Sequence, residues 1–97
     1  MFRLTVQDVF VIKGRGLVAT GRVELGEIRV GDEVRINGVR SAQIDAIEQF
    51  RKKMDVAAAG DNVGLLFSTL DRSDIAPGAV LTTGAGEPAS GGIEISL

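Results

Sequence analysis

The sequence predicts an all-β domain, a small closed antiparallel β-barrel with Greek-key connections. Apolar and charged residues alternate in short runs such as Phe2-Arg3-Leu4-Thr5-Val6 and Glu33-Val34-Arg35-Ile36, the pattern of strands with one face in a core. Glycines and an Asn-Gly pair separate these runs at close spacing, where tight turns need positive φ. The only aromatics are four Phe, which leaves Val, Ile, Leu and Ala to fill the interior of a compact sheet. Ninety-seven residues support a single core and no second one.

Each element follows in turn. Phe2, Leu4 and Val6 define a first strand with a dry and a wet face. Val9-Phe10-Val11-Ile12 has no alternation, which predicts a strand covered on both faces, by protein or by a ligand. Gly14 and Gly16 flank Arg15 in a turn, a second strand runs from about Leu17 to Glu24, and Leu25-Gly26-Glu27 turns the chain. Val30-Gly31-Asp32 is a further turn, feeding residues 33–36, and Asn37-Gly38 is a hairpin signal because a type I′ turn needs positive φ at both central residues. Residues 39–50 return as one strand. Its apolar parity breaks between Ile44 or Ala46 and Ile47, which predicts a bulge near Ala46.

Residues 50–59 favour helix on propensity alone, but Gly60-Asp61-Asn62 ends the segment after too few residues for a stable one. Val63-Gly64-Leu65-Leu66-Phe67 is another run without alternation. Residues 71–75 read as a helical turn or loop, Ala76-Pro77-Gly78 as a tight turn, and Ala79-Val80-Leu81-Thr82 as the closing strand. From residue 84 to 92 the composition shifts to Gly, Ala, Ser, Glu and Pro, as in a linker or loose tail, and Ile93-Glu94-Ile95-Ser96-Leu97 alternates as a weak edge strand would. The reading is five to seven strands in a domain over residues 1–83, with a tail over 84–97.

Several function classes fall away. Without cysteine there is no disulfide or thiolate metal site; without histidine, ordinary zinc sites and histidine-based catalysis are excluded. No nucleophile and base can be paired, so no enzyme activity and no cofactor are expected. No glycine-rich loop leads into Lys and Ser/Thr, so the chain alone is not expected to bind GTP or its magnesium ion. Apolar runs reach four residues, against the ~20 of a membrane span. The N-terminus opens directly into an alternating strand, so no membrane association and a cytoplasmic location are expected.

Net charge is −2, which argues against binding nucleic acid through phosphate contacts alone. Residues 1–53 hold ten Lys/Arg against seven Asp/Glu, +3, while residues 54–97 hold one against six, −5. This is either ordinary surface variation or a modest basic face around Lys13, Arg15, Arg51, Lys52 and Lys53.

Eight pieces in order carry a resemblance: Asp8-Val9-Phe10, Gly14-Arg15-Gly16, Thr20-Gly21-Arg22-Val23-Glu24, Val30-Gly31-Asp32-Glu33-Val34, Glu48-Gln49-Phe50-Arg51-Lys52, a run from Ala59 through Gly60-Asp61-Asn62 to Leu66, Asp74-Ile75, and Pro77-Gly78-Ala79-Val80-Leu81. Over about residues 2–83 the chain resembles the second domain of translation elongation factor Tu and its relatives, with a shortened hairpin near residues 38–42. The resemblance implies an extended strand and loop over residues 50–59. It also implies a non-catalytic, translation-factor-like binding module, standing here without the GTPase domain, with transfer RNA or another RNA end as ligand.

In that family the barrel helps to hold the aminoacylated end of transfer RNA, its terminal adenosine lying in a surface pocket. Carried over by position, the wall is Ile12, Gly14, Val18 and Leu66, with Glu48 against the base and Arg51 nearby. An apolar wall with a few polar groups is what a nucleobase needs. Each residue also has a structural reading: Ile12, Val18 and Leu66 as core, Gly14 as a turn glycine, Glu48 as a strand carboxylate and Arg51-Lys52-Lys53 as a solvated run. Gln49 stands where relatives usually carry an apolar residue. The barrel also serves as a docking platform in initiation, selenocysteine-specific and sulfate-activating GTPases. The alternative readings are therefore a protein-docking or regulatory domain with a translation-related partner, and an excised domain of a larger GTPase.

Overall fold

The computed structural model describes residues 1–83. The linker and edge-strand expectations for residues 84–97 lie outside the described residues. Ten strands follow in chain order: β1 (Phe2–Ile12), β2 (Gly16–Leu25), β3 (Glu27–Arg29), β4 (Glu33–Ile36), β5 (Arg40–Gln43), β6 (Ala46–Gln49), β7 (Lys52–Met54), β8 (Val56–Ala58), β9 (Asn62–Phe67) and β10 (Val80–Thr83). Among the described residues there is no helix.

Eight strands form one antiparallel sheet in the order β5-β4-β10-β1-β2-β9-β6-β7, and β3 pairs with β8 apart from it. The all-β class stands, but the expected closure does not: the sheet is a curled half-barrel whose outer strands β5 and β7 do not meet. Those two strands have four and three residues and carry Arg40, Lys52 and Lys53, the short charged edges that resist further pairing. The small β3–β8 sheet covers the core in place of a closing ladder, contributing buried Ile28 and Ala57.

The first half of β1 alternates as expected, with Phe2, Leu4 and Val6 buried. Leu4 lies between Leu81 of β10 and Val23 of β2. In β4, Val34 and Ile36 point inward and Glu33 and Arg35 outward. The Asn37-Gly38 turn has the expected positive φ values, 52° and 73°, and the Val39 amide donates to the Ile36 carbonyl at 3.0 Å. Val39 lengthens that loop to three residues, since Ile36 pairs with Arg40. At Ala76-Pro77-Gly78 the tight turn is present, with Gly78 at φ 94° and the Ala79 amide donating to the Ala76 carbonyl.

Residues 39–50 are not one strand, and there is no bulge at Ala46. The chain leaves the ladder at Ile44-Asp45, where the Ile44 amide donates to Asp32 and the Asp45 amide to Leu66. That break lets Ile44 and Ile47, three apart, both be fully buried. The register irregularities fall in β1 instead, between Arg3 and Leu4 and between Val6 and Asp8. Residues 50–59 are extended, as the resemblance implies, forming β7 and β8.

The two non-alternating runs behave differently. In β9, Val63, Leu65 and Phe67 are buried while Leu66 is half-buried. In the far half of β1, Phe10, Val11 and Ile12 are 53%, 49% and 37% exposed, so among the described residues protein does not cover both faces of this strand, and of the two expected covers only a ligand is left open. The cause is β10, which pairs with β1 only from Phe2 to Thr5. Its approach ends at Val6, whose amide donates to Ala79 and whose carbonyl accepts from Gly78.

Candidate functional site

The candidate residues depend on one set of cross-strand pairs. In an antiparallel pair, directly opposite residues point to the same face. β1, β2, β9 and β6 lie side by side, and Phe10, Val18, Leu66 and Ala46 form one continuous row. The adjacent row is Asp8, Thr20, Gly64 and Glu48. Ile12 and Gly16 form the row on the other side. Leu17, Ala19 and Leu65, which alternate with these positions, are fully buried. The three rows are therefore the outer face of the sheet.

Of the six sequence-predicted residues, Val18 and Leu66 stand directly opposite each other, and Glu48 lies one row on, across Gly64 from Thr20. Ile12 lies one row from Val18 in the other direction. Val18 and Leu66 are half-buried, so neither is wholly core. Gly14 and Arg51 occupy hairpin turns at opposite ends of these rows, separated along the strands by roughly 20 Å at ~3.3 Å per residue. Gly14 has φ 79° and open space where a side chain would project, consistent with the turn reading.

A shallow groove of about 240 Å³ opens beside this set, lined by Glu48 with Gln7, Thr20, Phe50, Asn62 and Gly64 among others. It does not reach Ile12, Gly14, Val18, Arg51 or Leu66. Its size is below the ~300 Å³ at which drug-sized pockets begin, so it suits a single base or a single side chain. Gly64 keeps it open, because a Cβ there would come within 3.0 Å of Val18 Cγ1. A larger hollow of about 450 Å³ lies in the turns around residues 72–79 and contains none of the six.

Sequence reasoning missed Phe10, Thr20 and Gly64 as members of this face, and Gln7 and Asn62 as groove residues. The signal for Gly64 was present, since a glycine inside an apolar strand marks a close approach or an open notch. The others depend on strand partners, which only the register supplies.

Charge around the face is mixed. Lys53 on β7 is the cross-strand partner of Glu48, and beyond it Phe50 and Arg51 form a two-residue turn with φ 52° and 66°. Positive φ is costly for a side-chain-bearing residue, and Phe50 is nonetheless 85% exposed there. The two carboxylates whose pKa moves lie away from the face. Glu24 is lowered by the Thr5 hydroxyl and by Arg3, whose Nε donates to Oε1 at 2.8 Å. Asp71 is lowered by the side chain and amide of Ser73. Among the described residues no cluster of three or more metal-ligating side chains occurs, and no helix is long and apolar enough to cross a membrane.

The curled all-β half-barrel, with its partly apolar outer face, is the architecture of a translation-factor-like module. The model of the elongation factor Tu domain 2 family matches residues 16–82, and the chain belongs to that family. Elongation factor Tu domain 2 is itself a non-catalytic β-barrel domain.

Proposed function

We propose that the outer face of β2, β9 and β6 binds the 3′-terminal, aminoacylated end of transfer RNA or another RNA end, without catalysis by this chain. The observation that carries the reading is the Val18–Leu66 pair beside the Gly64 notch and Glu48. It combines an apolar wall for a base with a carboxylate able to accept from a base amine or a ribose hydroxyl. Ile12 extends the wall, and Gly14 lets the chain turn beside it. Arg51 supplies a cation for backbone phosphate at the Glu48 end of the rows. One domain offers few contacts, so the expected affinity is weak, on the order of 0.1–1 mM.

An adenosine-ended RNA oligomer titrated against the labelled protein, followed by amide shifts, tests this. Shifts clustered at Val18, Glu48, Gly64 and Leu66, reduced by Glu48→Ala, are the expected result. Absence of clustered shifts at millimolar oligomer would overturn it. The second reading is docking of a translation-related protein on the same strands, and the exposure of Phe10 and Val11 favours it. Salt separates the two: RNA binding weakens steeply as salt rises, while an apolar protein interface does not.

A further inference from the structure

Among the described residues, β1 has a neighbour on one side only over residues 8–12. β5 and β7, the outer strands of the sheet, are short and charged, as natural edges are. Val9-Phe10-Val11-Ile12 has no charge and no proline. Val11, on the core face opposite Leu17, and Phe10, on the outer face, are both about half exposed. The backbone fixes how this edge can pair. The Arg15 amide donates to the Ile12 carbonyl at 2.9 Å, so the backbone groups of Ile12 face β2. Successive residues of a strand direct these groups to alternate sides. Phe10 and Asp8 therefore also face β2, while Val9 and Val11 present amide and carbonyl to the free edge. The register shift between Val6 and Asp8 accounts for the change of phase from Val6, which faces β10.

We propose that this edge pairs antiparallel with the same edge of a second copy, about a twofold axis at Phe10. In that register Val9 of each copy lies opposite Val11 of the other, and the two pairs exchange four backbone hydrogen bonds. An axis at Val11 would set Val9 against Lys13, which is in the turn, and an axis at Val9 would set Val11 against Gln7, at the irregularity. The Phe10 register also brings the two phenyl rings together on the outer face, at the closer spacing of a non-hydrogen-bonded pair. Each Val11 gains the other copy's Val9 as cover on the core face. Charges agree with it: Asp8 stands opposite Ile12 of the second copy, beside the basic hairpin tip of Lys13 and Arg15. The two Asp8 residues are about 13 Å apart along the strands at ~3.3 Å per residue, so no like charges oppose each other. After Ile12 the hairpin turns toward β2, so each chain leaves the interface before it meets Gly78 and Ala79 of the other. Five residues a side fall short of the ~800 Å² per partner of a standard interface. The dimer is therefore weak and reversible, with a Kd on the order of 0.1 mM. The inference does not depend on the RNA reading.

Sedimentation velocity and amide exchange on the full chain, from about 10 µM to about 1 mM, test the proposal. The sedimentation coefficient should rise toward that of a dimer. Over the same range the amides of Val9 and Val11 should slow about fivefold, while those of Phe10 and Ile12, already bonded to β2, stay unchanged. Val11→Pro removes a donor on the free edge only, and Phe10→Lys sets like charges opposite each other at an exposed position. Both variants should stay monomeric at about 1 mM, with the core amide of Leu65 as protected as in the parent. A monomer throughout the range would overturn the proposal. So would a dimer that persists in both variants, or one that protects Phe10 in place of Val9 and Val11. Protection of Val9 and Val11 that is independent of concentration would also overturn it, and would assign the edge to another segment of the same chain.

Discussion

Leu4 and Val11 lie on one strand, face the same side of the sheet and differ little in chemistry, yet Leu4 is fully buried and Val11 is 49% exposed. The difference lies in their neighbours. Leu4 is flanked by Leu81 on one side and Val23 on the other, whereas Val11 has only Leu17. Burial in a sheet is thus a property of the ladder on both sides of a residue, and an apolar run alone cannot report it. The well-paired half of β1 anchors the core. The other half leaves its ladder incomplete and its apolar atoms available.

The sharpest way to break this comparison is to truncate both residues. Leu4→Ala should cost about 2–5 kcal/mol in denaturant unfolding and Val11→Ala under about 1 kcal/mol; similar costs would mean the far half is covered in solution. A smaller effect is expected where the far half meets the rest of the sheet. Gly16, at φ 130°, has the Phe67 carbonyl oxygen 2.5 Å from where a Cβ would stand. Gly16→Ala should therefore cost roughly 1–3 kcal/mol and shift the amides of Phe67 and Ser68. An unchanged stability would show that the β1–β2 arm is not packed against β9.

β4 offers the same contrast at single-residue spacing, since it is paired on both sides by β5 and β10. Val34→Ala should cost about 1–3 kcal/mol, and Arg35→Ala, on the wet face, under about 0.5 kcal/mol. Equal costs would refute the inward and outward assignment. The smallest effect concerns pH. Glu24 is held below its ordinary 4.5 by Thr5 and Arg3, on the well-paired half of β1. A lowered folded pKa gives stability that is complete above pH 4.5 and fades as pH falls through the folded value. Glu24→Gln should make the acid side of the stability profile shallower while leaving neutral pH nearly unchanged.

Much of the fold was legible because alternation and turn chemistry are local. Phe2, Leu4, Val6, Val34 and Ile36 revealed their facing through period two, and Asn37-Gly38 and Pro77-Gly78 their turns through the φ values they permit. Whether protein covers residues 9–12 was not legible, because it depends on where β10 stops, about 70 residues later in the chain. Ile44 and Ile47 were read as one bulged strand, although hydrogen bonds from the Ile44 and Asp45 amides to the Asp32 and Leu66 carbonyls, unrelated to local propensity, take the chain out of the ladder between them. For the candidate face, the resemblance named Val18, Leu66 and Glu48, but their apposition through Gly64, with Phe10 and Thr20 in the same rows, needed the register. Barrel closure was not legible at all, because it depends on whether two short charged edges meet.

The pairing of Phe2 with Thr83 also sets the timetable of folding. β1 is made first and its partner β10 last, so their ladder joins the two most distant parts of the described chain. Contacts of such long separation place folding toward the millisecond-to-second range for small β domains. During synthesis at roughly 5–20 residues per second, Phe2 and Leu4 would wait about 4–16 seconds for Leu81 and Thr83 to emerge. Over that interval β1 has β2 as a partner but its Phe2–Thr5 edge still waits for β10, which makes that edge the place a chaperone would meet.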